Sequence, residues 1–283
     1  MAVLSQSITA LLIGFGMAFA AAGHAQCVDF DGALQQGGFI WGKVPAGSQV
    51  TLDGEQLDVL ADGTTFAGFG RKAPATAELV VTGPQPCRET LKIAAREYEV
   101  QRVEGVPQET VTPPVERMER IKREAALVAN ARAKSLQRPD LIEAALVGLA
   151  WPTKGRISGV YGSERYYNGV ARSPHYGIDI AVPKGTAVYA PAPGVATLAE
   201  PDLYFSGGTV ILDHGYSLSS SFLHLSELSV AVGDEVEAGD VIGEVGSTGR
   251  STGAHLDWRM NWRQHRIDPQ LLVPPMREAV PTP

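Results

Sequence analysis

Residues 175–196 read HYGIDIAVPKGTAVYAPAPGVA, short β-prone runs broken at intervals by Gly and Pro. Brief strands closed by tight turns are written this way, and residues 187–190 and 195–198 are the first two candidates. The same text continues downstream. Residues 209–212 and 220–223 read as further strands, with Gly215, Gly233, Gly239, Gly243, Gly246, Gly249 and Gly253 punctuating the chain between and after them. Few helical stretches interrupt the pattern, so residues 149–275 are expected to form a compact antiparallel β-sheet domain.

Upstream, residues 26–105 also read as strands, at 39–44, 48–52, 65–69, 77–81 and 98–103, with Asp53-Gly54 and Asp62-Gly63 as hairpin-type turns. Short strands at regular spacing predict a small β-sandwich, and the whole chain is therefore mainly β. Residues 106–148 form a connection in which Val106-Pro107 and Thr112-Pro113-Pro114 oppose regular structure. A helix is expected over 115–135, with Glu116–Arg120 and Glu119–Arg123 as i,i+4 pairs. Its apolar stripe of Val115, Met118, Ile121, Ala125 and Val128 is expected to pack on a domain or on a second copy of the chain. Residues 276–283 are Pro-rich and expected to fray.

Residues 8–22 read ITALLIGFGMAFAAA, too short for a comfortable transmembrane helix, and end at the small-x-small site Gly23-His24-Ala25. Residues 1–25 are thus expected to be a cleaved export signal, although no Lys or Arg precedes the run; a buried helix or an uncleaved anchor is the alternative. Gln26 does not suit a lipoprotein signal before Cys27. Cys27 and Cys87 are the only cysteines, and in an exported chain they read as one disulfide, two free thiols being the alternative. A formal net charge of −7 argues against a nucleic-acid binder.

Five of the six histidines fall between 175 and 265. His175 and Asp179 offer a ring nitrogen and a carboxylate oxygen, both good zinc donors. Four extended residues would hold them about 13 Å apart, so a bend is needed, and Gly177 can supply it. His255 and Asp257 sit two apart and would share one face of a strand, with Leu256 and Trp258 turned to the core. His224 lies alone between apolar residues. Taken singly, each of these reads as readily as coincidence or as a core histidine.

Together the segments HYGIDIAVPKGTAVYAPAPGVA, GGTVILDHG, FLHLSELSVAVGDEVEAGDVIGEVGSTGRSTGAHLDW and IDP resemble the LytM/lysostaphin-type peptidoglycan zinc metallopeptidases, in that family's order. The architecture is similar to exported Gram-negative members with an N-terminal β-domain, which implies a periplasmic location. The resemblance implies that His175 and Asp179 ligate the metal, one Zn2+ per chain. It implies that His224 orients water or stabilises the oxyanion, and that His255 acts as general base and then acid. His214 matches a structural His-Gly turn of the family, and His265 lies beyond its motifs.

One position departs. Where the family has a second His after His255, this chain has Asp257, which keeps a donor atom but adds negative charge. Two carboxylates and one imidazole leave a formally neutral centre with weaker polarising power, and another divalent metal such as manganese also suits it. The function implied is a peptidoglycan endopeptidase that cuts stem-peptide or cross-link amides, the D-Ala to diaminopimelate bond first among them, with a metal-activated water. The alternative is a catalytically weakened module that regulates a cell-wall amidase or binds an envelope protein. Residues 232–240 also resemble biotinyl-carrier turns, but residues 186–250 contain no lysine to carry a cofactor.

Overall fold

The computed structural model describes residues 26–276; the expected export signal and most of the Pro-rich tail lie outside them. Seven strands build the N-terminal region: β1 (Phe30–Gly32), β2 (Phe39–Lys43), β3 (Gln49–Leu52), β4 (Glu55–Leu57), β5 (Thr64–Gly68), β6 (Thr76–Thr82) and β7 (Cys87–Lys92). They form two antiparallel sheets, β1-β2-β5 and β4-β3-β6-β7. Asp53 and Gly54 both have positive φ, as a two-residue hairpin between β3 and β4 demands. Cys27 and Cys87 are bonded to each other.

The connection holds β8 (Val100–Val103), α1 (Gln108–Val111), α2 (Met118–Ala133, entered through a 3-10 turn) and α3 (Pro139–Val147). Three sequence expectations change here. The strand near 98–103 does not join the N-terminal sandwich: β8 pairs in parallel with β10 (Glu164–Tyr167), beside the site described below. Pro107 does not prevent α1, because a proline preceding the first turn sacrifices only an N–H that has no helical partner. The expected helix pairs are replaced by Arg120–Glu124 and Lys122–Glu119. The apolar stripe finds its partner within the chain. Val128 and Ala131 pack on Leu198, Leu203 and Ile211, while Val115 and Met118 stay exposed.

The remaining strands are β9 (Arg156–Gly159), β11 (Val170–Ala171), β12 (Ile178–Ala181), β13 (Ala187–Tyr189), β14 (Gly194–Leu203), β15 (Gly207–Asp213), β16 (Leu218–Leu228), β17 (Glu235–Val236), β18 (Val241–Val245), β19 (Leu256–Trp262) and β20 (His265–Ile267). Most join one antiparallel sheet in the order β17-β14-β15-β16-β19-β12-β9. Alternation along β19 divides its two faces: Leu256, Trp258, Met260 and Trp262 enter the core, and Asp257, Arg259 and Asn261 face the other way. The core runs on without a break into the N-terminal sheets, where Phe39 meets Trp262 edge-on and Phe66 meets Tyr216. Arg96 pairs with the buried Asp268 across the same junction. No helix among the described residues is long and apolar enough to cross a membrane.

The disulfide closes a loop spanning 60 residues. Replacing both cysteines by serine is expected to cost about 4 kcal/mol in the chain-entropy picture. A thermal melt of the double variant against the oxidised protein checks this, and an unchanged melting temperature would contradict it.

Candidate metal centre

In the antiparallel pairing of β12 with β19, Asp179 stands directly opposite Asp257. Residues so paired project to the same side, which places two carboxylates side by side on the polar face. His175 joins them from the loop before β12, pinned by its amide to the Ser163 carbonyl and by its own carbonyl to the Gly162 amide. One donor atom from each of His175, Asp179 and Asp257 lies within 4.8 Å of the others, and all three residues are buried.

His175 Nε2 approaches Asp179 Oδ1 to 3.1 Å. Even so, both His175 ring nitrogens and Asp179 Oδ1 are buried without a hydrogen-bond partner. Buried polar atoms are rarely left unpaired, and a free His175 nitrogen beside Asp179 Oδ1 fits two donors of a cation. The residues therefore fit a divalent ion: one imidazole and two carboxylates.

Two guanidinium groups flank the carboxylates. Arg165, on β10, pairs with Asp179 Oδ2. Arg259 grips Asp257 from two positions along the same strand face, at 3.0 Å to Oδ1 and 2.5 Å to Oδ2. Burial works to raise the Asp179 carboxyl, but His175 and then Arg165 hold it well below the usual carboxylate range. Burial likewise opposes ionisation of Asp257, and Arg259 foremost overcomes it, leaving its pKa at about 2. Both carboxylates are thus ionised and ready to ligate. Each of the two carboxylates has a positive partner that the expected ligand set alone did not include.

Two glycines make this packing possible. A Cβ on Gly159 would lie 2.1 Å from Asp179 Oδ2 and 2.7 Å from Arg165. One on Gly177 would meet the Trp258 carbonyl at 2.4 Å and Asp257 Oδ1 at 2.8 Å. Gly177 therefore serves close approach to β19, its φ not being in the left-handed region.

His224 and His255 stand beside the cluster, their ring centroids 4.8 Å apart. His224 sits in β16 at φ 67°, beside an irregularity in the pairing with β15 that re-aims its side chain. Its Nδ1 lies 2.8 Å from the Thr248 carbonyl, so Nδ1 carries the proton and donates. Burial pushes its pKa down to about 4, so the ring is neutral near pH 7. His255 Nδ1 likewise donates to the Gly253 carbonyl at 2.8 Å, and its Nε2 comes within 3.8 Å of Asp179 Oδ1. A cleft of about 450 Å³ opens here, lined by Arg102, Arg165, Tyr167, Asp179, Arg250 and His255. His214 is not part of it; its ring is buried between the Pro193 carbonyl and the Ser220 hydroxyl. His265 stacks on Trp262.

Residues 173–269 match the profile of peptidase family M23. The C-terminal domain belongs to peptidase family M23. Over 130 residues the chain is 35% identical to the peptidoglycan DD-endopeptidase ShyA of Vibrio cholerae, covering 46% of this chain and 30% of that one. Over 109 residues it is 44% identical to the DD-carboxypeptidase/endopeptidase Mpg of Neisseria meningitidis, covering 38% of this chain and 24% of that one. The chain thus spans a third or less of the length of these curated relatives. A crystal structure of a Pseudomonas aeruginosa protein assigned to peptidase M23 superposes with a TM-score of 0.62 at 26% identity, covering 85% of this chain and 94% of that one.

The structure brings the five residues singled out from the sequence into one cluster and adds two arginines that sequence reasoning missed. Arg259 was legible, since a residue two along a strand from Asp257 shares its face. Arg165 was not, because only the β8–β10 pairing and the fold of the hairpin bring it to Asp179.

Asp257→Ala is expected to cut bound zinc from one ion per chain to near none, measured on the purified protein by elemental analysis. Asp257→His alone strands Arg259 against a neutral ring, and is expected to bind zinc at least about tenfold more weakly than the double variant Asp257→His/Arg259→Ala. Equal affinities for the two would break the link between Arg259 and the ligand.

Proposed function

We propose that this protein is a metal-dependent endopeptidase acting on the peptide amides of peptidoglycan, zinc being the ion that the family resemblance implies and that imidazole and carboxylate donors both bind. One observation carries the reading: donor atoms of three buried residues converge within 4.8 Å, those of His175 and Asp179 Oδ1 lack hydrogen-bond partners, and the His255 Nε2 lies 3.8 Å from Asp179 Oδ1. When bound, a divalent ion supplies a Lewis acid that polarises the scissile carbonyl and makes water easier to deprotonate. His175, Asp179 and Asp257 hold it.

The protein's own groups do the rest. With Nδ1–H given to the Gly253 carbonyl, His255 presents a lone pair at Nε2. It takes the proton of the attacking water and returns it to the departing amine. His224 is fixed the same way by Thr248, so in its neutral form Nε2 accepts and has no proton to give. Of the two roles the resemblance left open for His224, orienting the water fits this tautomer. The β8 segment, through Gln101 and Arg102, walls the cleft that receives the peptide. Peptidoglycan as substrate is drawn from the peptidoglycan DD-endopeptidase relative, while the D-Ala to diaminopimelate bond and a periplasmic location rest on the family resemblance of the sequence alone.

A second reading draws on the arginines. Because Arg165 and Arg259 already satisfy a carboxylate each, the cluster can persist without an ion, as a module that regulates an amidase or binds an envelope protein would need.

Release of soluble muropeptides from purified cell wall separates the two. The wild type with zinc is expected to convert cross-linked dimers to monomers, and a chelator to stop it. His255→Ala is expected to slow release by about a hundredfold or more. Stoichiometric zinc with no release by the wild type would favour the regulatory reading.

A further inference from the structure

Beyond Asp257 the polar face of β19 continues into a second cavity, of about 250 Å³, roofed by α2. Ile121, Ala125 and Val128 of the helix and Leu203 of β14 make one end apolar. At the other end Arg132, Arg259 and Arg266 converge. Their charges are unequally answered. Arg259 is taken up by Asp257. Arg266 donates to the Asn261 side-chain oxygen at 3.0 Å and faces the Tyr176 ring, with no carboxylate partner. Arg132 makes no side-chain hydrogen bond or ion pair among the described residues, and its Nε is buried without a partner.

Burial, then the charge of Arg259, pulls the Arg132 pKa down to about 10; burial, then Arg132 and Arg259, pulls Arg266 to about 9. The carboxylate lining this cavity, Glu124, is held elsewhere, by Arg120 at 2.5 Å and by the Tyr204 amide at 2.7 Å. On the floor, Ser221 is 5% exposed and its hydroxyl has no partner; Ser219, two residues back on the same strand face, is 3% exposed and equally unpaired. Uncompensated cations and the unspent Ser221 hydroxyl around one partly open cavity are the complement of an anion, and guanidinium groups favour a carboxylate. The apolar end suits a small aliphatic side chain.

We propose that Arg132, Arg266 and Ser221 form a carboxylate-binding subsite, linked to the metal centre through Arg259, that receives an acidic group of the peptide substrate. This rests on the peptidase reading above. In peptidoglycan the carboxylate can come from a terminal D-alanine or from diaminopimelate, and the subsite chemistry is common to both.

The test is calorimetric binding to the full chain carrying His255→Ala, so that no turnover intervenes. Two probe pairs are used: acetyl-D-alanyl-D-alanine against its C-terminal amide, and a diaminopimelate-containing stem tripeptide against the form amidated on its diaminopimelate side chain. In at least one pair the acid is expected to bind about tenfold more tightly than the amide, and that pair names the source. Arg132→Gln is expected to erase the preference and Arg132→Lys to restore part of it, with an unchanged melting temperature showing that the fold holds. Equal affinity of acid and amide in both pairs, no binding of any probe, or a preference that survives Arg132→Gln and Arg266→Gln would each overturn the proposal. A failure of the peptidase reading registers separately, as wild-type protein that binds the acid but releases no muropeptides.

Discussion

Two carboxylates directly across from one another on neighbouring strands, both buried, are the constraint around which this domain is arranged. The β12–β19 register places Asp179 opposite Asp257, and like charges so placed repel. Nothing in the core can answer them, because Leu256 and Trp258 occupy the opposite face of β19. Positive charge has to arrive on the polar face. Arg259 comes from the same strand, Arg165 from the hairpin that β8 completes, and a divalent ion fits the donors left over. Gly159 and Gly177 have no side chain because these groups fill the space one would need.

This arrangement bears on how an aspartate stands where the M23 pattern has a histidine. A carboxylate alone would make the centre more negative and a poorer electrophile. Asp257 bound to Arg259 is a neutral pair, closer in charge to an imidazole than to a free carboxylate, and it keeps an oxygen donor. The two remaining histidines are each fixed by a backbone carbonyl at Nδ1, which leaves both Nε2 atoms as acceptors near the cluster. The connection between the two β regions also takes part in the site. Its β8 strand lines the metal-site cleft, and α2 roofs the arginine-lined cavity on the same face.

Much of this was legible in the amino-acid sequence, for local reasons. Period-two alternation at His255-Leu256-Asp257-Trp258 identified both faces of β19, and Asp53-Gly54 marked a hairpin whose φ values demand such residues. The five candidate residues were proposed through resemblance, since spacing alone gave only weak pairs. What was hidden depends on long-range pairing. Val100–Val103 looks like another sandwich strand because its alternation is the same wherever it docks; the parallel partner at Glu164–Tyr167 is not encoded nearby. The apolar stripe of α2 announced a partner without naming it, and the partner proved to be the chain's own sheet. Arg132 read as an ordinary helix-surface charge, and only packing shows it to lack a counter-ion.

The most direct measurement of the central claim is anomalous diffraction at the zinc edge from crystals of the metal-loaded protein. A single strong peak ligated by His175, Asp179 and Asp257, with Arg259 still bound to the outer oxygen of Asp257, is the result this account requires. A peak elsewhere, or none with Arg165 or Arg259 lying between the carboxylates, would contradict it.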